Sequence, residues 1–311
     1  MDLQYVGQTG LESSVLSYGC MRISGTWNPA EITETHRENA FKALTAAYDA
    51  GYTLFDHADI YGQTSCESLH GEMLKNSPEL RRSTVIATKC GIRFPGSPNP
   101  ESPHRFDFSH QHIIWSCEAS LKRLNIETID IYQLHRPDYL MNPEEVAEAF
   151  EALHAQGKVR YFGVSNFMPS KVAALQASLS FPLVVNQVEI HLGRLDCFED
   201  GTLDQCLELG ITPLSWSPIA GGWLGEGGTP PQDKPHLAKL VALMDGLAKQ
   251  HGVTRTEIAL AWLLMHPAGI IPIVGSIKPE RIKAAVKATE IELGREEWYR
   301  LLVAARGVSL P

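Results

Sequence analysis

The stretch from Ile129 to Val164, IDIYQLHRPDYLMNPEEVAEAFEALHAQGKVRYFGV, reads as a strand, a helix and a second strand. Its two ends are short, mostly apolar runs of the length that strands have. Pro143 and Gly157 bound the middle segment, and these residue types commonly begin and end helices. Between them runs an apolar stripe at helical spacing: Val146, Ala149, Phe150 and Leu153. The stretch therefore predicts two strands joined by a helix.

The same alternation runs through the whole chain. There are eight strand candidates: Val15–Gly19, Thr53–Asp56, Thr84–Lys89, Ile129–Leu134, Val159–Val164, Leu183–Val188, Thr212–Trp216 and Ile270–Val274. Amphipathic segments separate them, and neither a linker nor a break in composition interrupts the pattern. We therefore predict that residues 1–311 form a single domain, a (β/α)8 TIM barrel. An open, doubly wound sheet is the alternative architecture.

Two segments lie outside this alternation. Residues 3–14 contain Gln8-Thr9-Gly10 between short apolar pieces, which is typical of a β-hairpin. We expect this hairpin to cap the bottom of the barrel. Residues 294–306, after the eighth strand, are predicted to form an extra C-terminal helix.

The composition is that of an ordinary globular protein, with 44% hydrophobic and 20% charged residues. A net charge of -9 argues against nucleic acid as a partner, because binding to phosphates requires a basic surface. The N-terminus has no signal-peptide pattern, and no run of about 18 apolar residues is present to span a bilayer. We therefore expect a cytoplasmic protein with no membrane partner.

The cysteine spacing indicates reduced thiols. None of the six cysteines forms a C-x-x-C pair: Cys20, Cys66, Cys90, Cys117, Cys197 and Cys206. In a chain of this length, such spacing fits buried reduced cysteines better than a disulfide framework or a zinc site.

Polar residues end or follow six successive strand candidates. They are Asp56, Lys89, His135, Ser165 with Asn166, Asn186 with Gln187, and Ser215 to Ser217. Singly, each has an ordinary explanation, since aspartate favours turns and a lysine at a strand end commonly reaches solvent. In a barrel, however, the carboxyl ends of all strands meet at one rim, where active sites are built. Their shared position favours an active site at that rim.

Five segments resemble signatures of the aldo-keto reductase family. Residues 56–62 resemble its Asp-x-Ala-x-x-Tyr-Gly signature, and residues 163–167 resemble its Gly-Val-Ser-Asn-Phe segment. The other three are Asn186–Glu189, Ser217–Ile219, and Gly275-Ser276 with Arg281. The resemblance extends over nearly the whole chain. In detail the sequence is most similar to a bacterial branch whose physiological substrates are largely undefined.

The resemblance implies that Asp56, Tyr61, Lys89 and His135 form a catalytic tetrad that reduces aldehydes or ketones. Carbonyl reduction leaves a developing alkoxide, which needs a proton donor. Tyr61 is the implied donor, and the Lys89 ammonium should lower its pKa from the ordinary value of about 10. Asp56 would orient Lys89. His135 would donate a hydrogen bond to the carbonyl oxygen or, if charged, assist proton transfer.

The resemblance also implies a nicotinamide cofactor, NADPH or NADH, as the hydride donor. No G-x-G-x-x-G or P-loop follows a strand, so a Rossmann or Walker site is not expected. The nicotinamide carboxamide would be held by Ser165, Asn166 and Gln187. Its ring would stack on Trp216, where many family members have tyrosine.

The other residues that the resemblance assigns to the cofactor follow the first, seventh and eighth strands. They are Met21, Arg22, Ser217, Ile219, Gly275, Ser276, Lys278 and Arg281. Lys278 and Arg281 lie where a predicted helix begins, and Arg281 can bind a phosphate through two hydrogen bonds. This favours NADP(H) over NAD(H). A solvated basic helix face is the alternative explanation, and Glu280 in the same turn opposes the positive charge.

Three aromatic residues are candidates for the substrate pocket. Trp27, Phe94 and Trp223 lie in the loops after the first, third and seventh strand candidates. They either wall an apolar pocket or anchor their own loops. His57 and Asp59 are expected to be turn or rim residues. The expected partner is a small carbonyl compound, and the resemblance implies a monomer.

Three other functions share parts of this pattern. A metal-dependent barrel hydrolase also gathers such residues at strand ends, but it usually needs a His-x-His pair or a carboxylate on an early strand. Here His110-x-His112 lies at the start of a predicted helix, and no H-E-x-x-H motif occurs. We therefore expect no metal site. A non-catalytic nicotinamide-binding subunit would keep the fold without the chemistry. A purely structural scaffold would not explain why polar residues lie at six strand ends.

Overall fold

The computed structural model describes residues 1–311. The strands are β1 Leu3–Tyr5, β2 Glu12–Ser14, β3 Ser17–Gly19, β4 Leu54–Asp56, β5 Val85–Cys90, β6 Ile92–Arg93, β7 Arg105–Phe106, β8 Ile129–Leu134, β9 Val159–Ser165, β10 Leu183–Glu189, β11 Thr212–Trp216 and β12 Ile271–Val274. The helices are α1 Glu34–Asp49, α2 Ser65–Asn76, α3 Pro78–Arg82, α4 His110–Leu124, α5 Pro143–Ala155, α6 Pro169–Gln176, α7 Thr202–Leu209, α8 His236–His251, α9 Arg255–Leu264, α10 Pro279–Ala285 and α11 Arg295–Arg306.

Eight parallel strands close into a barrel in the order β3-β4-β5-β8-β9-β10-β11-β12. The ring closes where β12 pairs with β3, with Ile273 opposite Ser17 and Val274 opposite Tyr18. The predicted (β/α)8 barrel is therefore confirmed. The open sheet is ruled out, because every barrel strand here has two neighbours.

The first barrel strand is shorter than predicted. It begins at Ser17 rather than Val15, because the backbone N–H of Val15 donates to the carbonyl of Asp2 and continues the pairing of β1 with β2. The apolar pattern alone cannot separate the end of one strand from the start of the next when both are extended.

The β1–β2 hairpin closes the amino end of the barrel, as predicted. Val6 is fully buried among the residues that fill the barrel interior. The N–H of Gly7 donates to Thr212 Oγ1 at the start of β11, at 2.8 Å. A Cβ on Gly7 would lie 2.8 Å from the Cβ of Val184, and its φ is +61°. The hairpin therefore approaches the strand ends more closely than a side chain at position 7 allows.

The core has two parts. The barrel interior is filled by Val6, Leu54, Val85, Ala87, Ile131, Val184, Val185, Leu214, Ile271 and Ile273. Three further clusters of buried residues lie between the barrel and the surrounding helices. The apolar stripe seen in the sequence of α5 belongs to one of them, which explains why that helix forms and which face it buries.

The predicted C-terminal helix is present as α11. Trp298 of α11 stacks on Trp262 of α9 with ring centroids 5.0 Å apart. Each indole N–H donates to the backbone carbonyl of the other residue, at 3.2 and 2.9 Å. Both tryptophans therefore bury their rings without leaving an N–H unpaired.

Two further features concern membrane-spanning helices and the cysteine thiols. None of the helices combines the length and the apolar character needed to cross a bilayer. All six cysteines are buried, and none is in a disulfide.

Candidate active site

Four side chains singled out from the sequence lie at the carboxyl end of the barrel. Asp56 is the last residue of β4, Lys89 is next to last in β5, and His135 directly follows β8. Tyr61 lies in the loop between β4 and α2. Because β4, β5 and β8 are adjacent parallel strands, their carboxyl ends bring these groups together.

Lys89 is fully buried at the centre of this group. Its Nζ lies 2.8 and 2.9 Å from the two carboxylate oxygens of Asp56. The backbone carbonyl of His57 is 2.7 Å away, and Tyr61 Oη is 3.1 Å away. All the hydrogens of the ammonium are thus directed at oxygens, as a buried charge requires.

The charge on Lys89 is maintained by its partners. Burial alone would lower the pKa of Lys89, but the neighbouring Asp56 carboxylate and Tyr61 phenol outweigh it, and the pKa is raised above its usual value. Lys89 therefore remains an ammonium at neutral pH. As such it donates a hydrogen bond to the phenol oxygen of Tyr61.

The pKa of Tyr61 differs from the sequence-based expectation. Lys89 acts to lower it, as expected, but burial raises it more, and Asp56 raises it further. The resulting pKa is about 12. The expected net decrease was wrong because sequence does not show how completely the surrounding loops enclose the phenol. Tyr61 is therefore protonated at neutral pH.

His135 packs edge-on against Tyr61, with ring centroids 5.9 Å apart. Burial and the nearby charges of Lys89 and Arg136 hold the pKa of His135 well below its usual value. The ring is therefore neutral at neutral pH, which favours the hydrogen-bonding role over the charged one. Its Nδ1 is buried and has no hydrogen-bond partner.

Three of the residues expected to hold the nicotinamide form a hydrogen-bonded row on the next strands. Ser165 Oγ donates to the carbonyl of Gln187 at 2.9 Å. Asn166 Nδ2 donates to Ser165 Oγ at 2.8 Å and to the carbonyl of His135 at 3.2 Å. The indole N–H of Trp216 donates to Asn166 Oδ1 at 2.9 Å. Through Asn166, this row links the Trp216 ring to the backbone carbonyl of His135.

Gln187 has a second contact that the sequence did not reveal. Its Nε2 donates to Asp56 Oδ1 at 2.7 Å, across the barrel interior. The Asp56 carboxylate is therefore held by Lys89 and Gln187 together. The Gln187 amide oxygen has no protein partner and is the part of this side chain left for a ligand.

The remaining expected cofactor residues follow β3, β11 and β12 at the same rim. Met21 and Arg22 lie in a short 3-10 turn after β3, and both are exposed. Ser217 follows β11 with a φ of +51°, and Ile219 packs against the helix-side core. Gly275 lies directly after β12.

The loop after β12 carries two free cations. Lys278 precedes α10 and Arg281 lies in its first turn, both exposed, and neither side chain makes an ion pair or hydrogen bond. Ser276 shapes this loop: its Oγ accepts from the backbone N–H of Lys278 at 3.2 Å, and its carbonyl accepts from Tyr18 at 3.0 Å.

The three aromatic substrate candidates lie in the predicted loops but differ in their surroundings. Trp27 is 48% exposed and Phe94 is 39% exposed. Trp223 is partly buried and packs against the core beside α8 and α9, close to Gly193. Trp27 and Phe94 are therefore the two with faces available to a small molecule.

His57 and Asp59 lie in the loop and turn after β4, as the sequence suggested, but both side chains are buried and not exposed at the rim. His57 is fully buried, and its Nε2 lies 2.8 Å from Nδ1 of His70, whose Nε2 lies 2.6 Å from the Tyr48 hydroxyl. Asp59 is also buried and accepts a hydrogen bond from Ser116 Oγ at 2.7 Å. Both side chains turn inward because α2 and α4 cover this loop, which the local sequence does not show.

A sulfur atom joins this histidine pair. Sγ of Cys20 and one ring nitrogen each of His57 and His70 lie within 4.8 Å of one another, all buried. The spacing of the three residues along the chain does not suggest such a cluster. The facing nitrogens of the two histidines share a hydrogen bond, whereas Nδ1 of His57 is buried without a hydrogen-bond partner.

Comparisons with known proteins identify the family of the chain. A family model described as "Aldo/keto reductase family" matches residues 15–303. The chain is 42% identical over 293 residues to the uncharacterized oxidoreductase YcsN of Bacillus subtilis, covering 93% of this chain and 95% of that protein. It is 41% identical over 312 residues to 6-dehydroglucose reductase of Novosphingobium aromaticivorans, covering 98% of this chain and 96% of that protein.

A solved structure shows the same architecture. The crystal structure of the thermostable aldo-keto reductase Tm1743, in complex with the inhibitor epalrestat, matches with a TM-score of 0.83 at 29% identity. The match covers 98% of this chain and 100% of that chain.

Proposed function

The chain belongs to the aldo/keto reductase family of oxidoreductases, and we propose that it uses NADPH to reduce an aldehyde or ketone to an alcohol, with Tyr61 as the proton donor. The observation that carries the proposal is the contact between Lys89 and Tyr61. The buried ammonium donates to the phenol oxygen at 3.1 Å. No protein group accepts the phenol's own hydrogen, which is therefore available to a substrate oxygen.

Tyr61 has the acidity that the reduction needs. With a pKa of about 12 it stays protonated at neutral pH, yet a phenol remains a stronger acid than an aliphatic alcohol. A developing alkoxide would therefore take its proton. Lys89 stabilises the phenolate that remains, and Asp56 with Gln187 holds Lys89 in place.

His135 would position the carbonyl. A neutral imidazole has one N–H, and in this site it can donate to the same oxygen that receives the Tyr61 proton. Tyr61 and His135 thus approach one oxygen from two directions. This arrangement stabilises charge on that oxygen only as the reaction proceeds, which is the condition for catalysis.

The residues present fit a nicotinamide cofactor. Trp216 offers an aromatic face fixed by its hydrogen bond to Asn166, and Gln187 keeps a free amide oxygen for a carboxamide. When bound, NADPH would supply the hydride that the protein's own side chains cannot. The two unpaired cations at the loop after β12, Lys278 and Arg281, support NADPH over NADH, because NADPH carries an additional 2′-phosphate on its adenosine ribose.

A sugar aldehyde belongs among the candidate substrates. The Novosphingobium relative is named as acting on 6-dehydroglucose, so we propose this compound for the first substrate panel beside simple aldehydes, ketones and quinones. A cytoplasmic location fits the six buried, unpaired cysteines, since a reducing compartment keeps thiols in that state.

NADPH oxidation by wild type and Tyr61→Phe across this panel tests the proposal. We expect the substitution to lower kcat/KM by about 10²–10⁴-fold, the usual contribution of a general acid. Tyr139→Phe is the matched control, because that tyrosine is 89% exposed and makes no hydrogen bond to the tetrad; it should leave the rate unchanged. Binding of NADPH without turnover of any compound would instead indicate a regulatory nicotinamide-binding protein.

A further inference from the structure

Arg136 is a partly buried arginine without a partner. It directly follows His135 at the carboxyl rim of the barrel, and its guanidinium makes neither a hydrogen bond nor an ion pair. All other arginines that are at least partly buried do make such contacts: Arg37, Arg81, Arg93, Arg105, Arg123, Arg255 and Arg306. The tetrad does not use Arg136.

The guanidinium lies over the ring of Trp216, with its central carbon 5.3 Å from the ring centroid. Burial lowers the pKa of Arg136 from its usual value, although the group stays charged. The face of an aromatic ring compensates only part of the hydration that such a cation loses. The charge is therefore held at the mouth of the site and remains unneutralised.

The nearby acid does not neutralise it. Glu189, at the end of β10, is bound by Arg194 at 2.7 Å, and His191 lies 3.4 Å from its other oxygen. The remaining facing groups are Arg194, which is positive, and Tyr61, which is protonated and uncharged. Arg194 is also bound to Asp196 at 3.0 Å, so its charge is balanced by two carboxylates, and neither carboxylate pairs with Arg136. Arg136 is therefore left to bind an arriving anion.

We propose that Arg136 binds a carboxylate of the substrate, so that the preferred substrates are aldehydes or ketones with an acidic group near the carbonyl. This inference rests on the proposed carbonyl reduction. A guanidinium matches a carboxylate with two parallel hydrogen bonds. A single arginine also matches the single charge of a carboxylate better than the double charge of a phosphate, since no second free cation lies beside it. The adjacency of Arg136 to His135 would place the acid a few bonds from the reacting carbonyl.

The experiment compares the three positional isomers of carboxybenzaldehyde with their methyl esters, which keep the shape and remove the charge. In the wild type, we expect at least one acid to have a KM about 10-fold to 100-fold lower than its ester, as for a hydrogen bond to a charged group. In Arg136→Gln, the KM of that acid should rise to the level of the ester. The KM of the ester should change less than about twofold. Arg136→Lys should restore only part of the preference, because it lacks the planar fork.

Arg82→Gln is the matched control for loss of one positive charge, since Arg82 is exposed and unpaired. It should leave the preference for the acid intact. The inference is overturned if Arg136→Gln raises the KM of the acid and of the ester by the same factor. It is also overturned if the variant changes the affinity for NADPH instead. Turnover of the esters without any preference for the acids refutes the Arg136 assignment alone. Absence of turnover for acids, esters and neutral aldehydes refutes the reductase as well.

Discussion

Asp59 is a buried carboxyl two residues before the proposed proton donor. Ser116 donates to one of its oxygens, and the other oxygen is buried without a partner. Burial raises the pKa of Asp59 to about 7, with Ser116 opposing the rise. The folded protein therefore binds a proton here that the unfolded chain releases at its usual pKa of about 4.

This shift predicts a pH dependence of stability. Between about pH 4 and pH 7 the native state holds a proton at Asp59 that the unfolded state has lost, so the contribution of Asp59 to the free energy of unfolding falls as pH rises. The fall is about 1.4 kcal/mol per pH unit within that window. Asp59→Asn keeps the shape and removes the titration. We expect the variant to gain stability relative to wild type as pH rises from 5 to 8, measured by urea unfolding.

Ser116→Ala is the control, because its stability relative to wild type should change with pH in the opposite direction. It removes the hydrogen bond that favours the ionised carboxylate, so its stability relative to wild type should fall further as pH rises through the same window. A stability difference between Asp59→Asn and wild type that stays constant from pH 5 to 8 would show that Asp59 titrates at an ordinary pKa.

Sequence identified the residues of the tetrad but not their electrostatics. The resemblance to the family implied Asp56, Tyr61, Lys89 and His135, three of which were also noted at strand ends, and the structure brings the four side chains together. The raised pKa of Tyr61 was not predicted, because it depends on the enclosure of the phenol. The Gln187 contact with Asp56 was also missed, since it joins residues far apart in sequence across the barrel.

At the scale of elements, the N-terminal hairpin is the part most sensitive to a small change. Gly7→Ala adds a Cβ 2.8 Å from the Cβ of Val184, at a φ of +61°. Both the positive φ and the overpacking destabilise, and together we expect a loss of about 2–4 kcal/mol in the free energy of unfolding. Chemical denaturation of the two proteins measures it.

Gly157→Ala separates the cost of the positive φ from the cost of overpacking. Gly157 has a similar φ of +68° but nothing within 4 Å of a Cβ, so it reports the backbone cost alone, about 1 kcal/mol. Equal losses in the two variants would contradict the close fit of the hairpin to the barrel.

Elements with a clear period were predictable, and very short ones were not. The sequence placed all eight barrel strands within a few residues of their positions, and α5 and α11 as well. The β6–β7 hairpin in the loop after β5 escaped notice, because two strands of two residues each carry no periodicity. The position of this hairpin is fixed by the pairing of β6 with β7, two segments of the same loop.

For the whole molecule, cofactor preference should appear as a difference in thermal stability. A ligand at 100 times its Kd adds about 2.7 kcal/mol to the free energy of unfolding. We expect NADPH to raise the Tm at concentrations where NADH leaves it unchanged, because only NADPH carries the additional 2′-phosphate that Arg281 is proposed to bind. In Arg281→Ala the two cofactors should give the same Tm shift.

Lys287→Ala tests the alternative that these cations are merely a solvated basic face. Lys287 is exposed just after α10 and makes no ion pair. The variant should keep the wild-type preference for NADPH. If Lys287→Ala and Arg281→Ala reduce the NADPH shift equally, the effect is one of general charge and no phosphate site is formed at Arg281.

The closure of the barrel through β12 and β3 also governs when the protein can fold. These strands come from opposite ends of the chain, so β3 leaves the ribosome long before its partner is made. Until then, both the first and the last strand of the growing sheet have open edges, which can associate with other chains. The loop after β12 is made only after most of the barrel. NADPH binding there would therefore report the last step of folding, the joining of the two ends of the sheet.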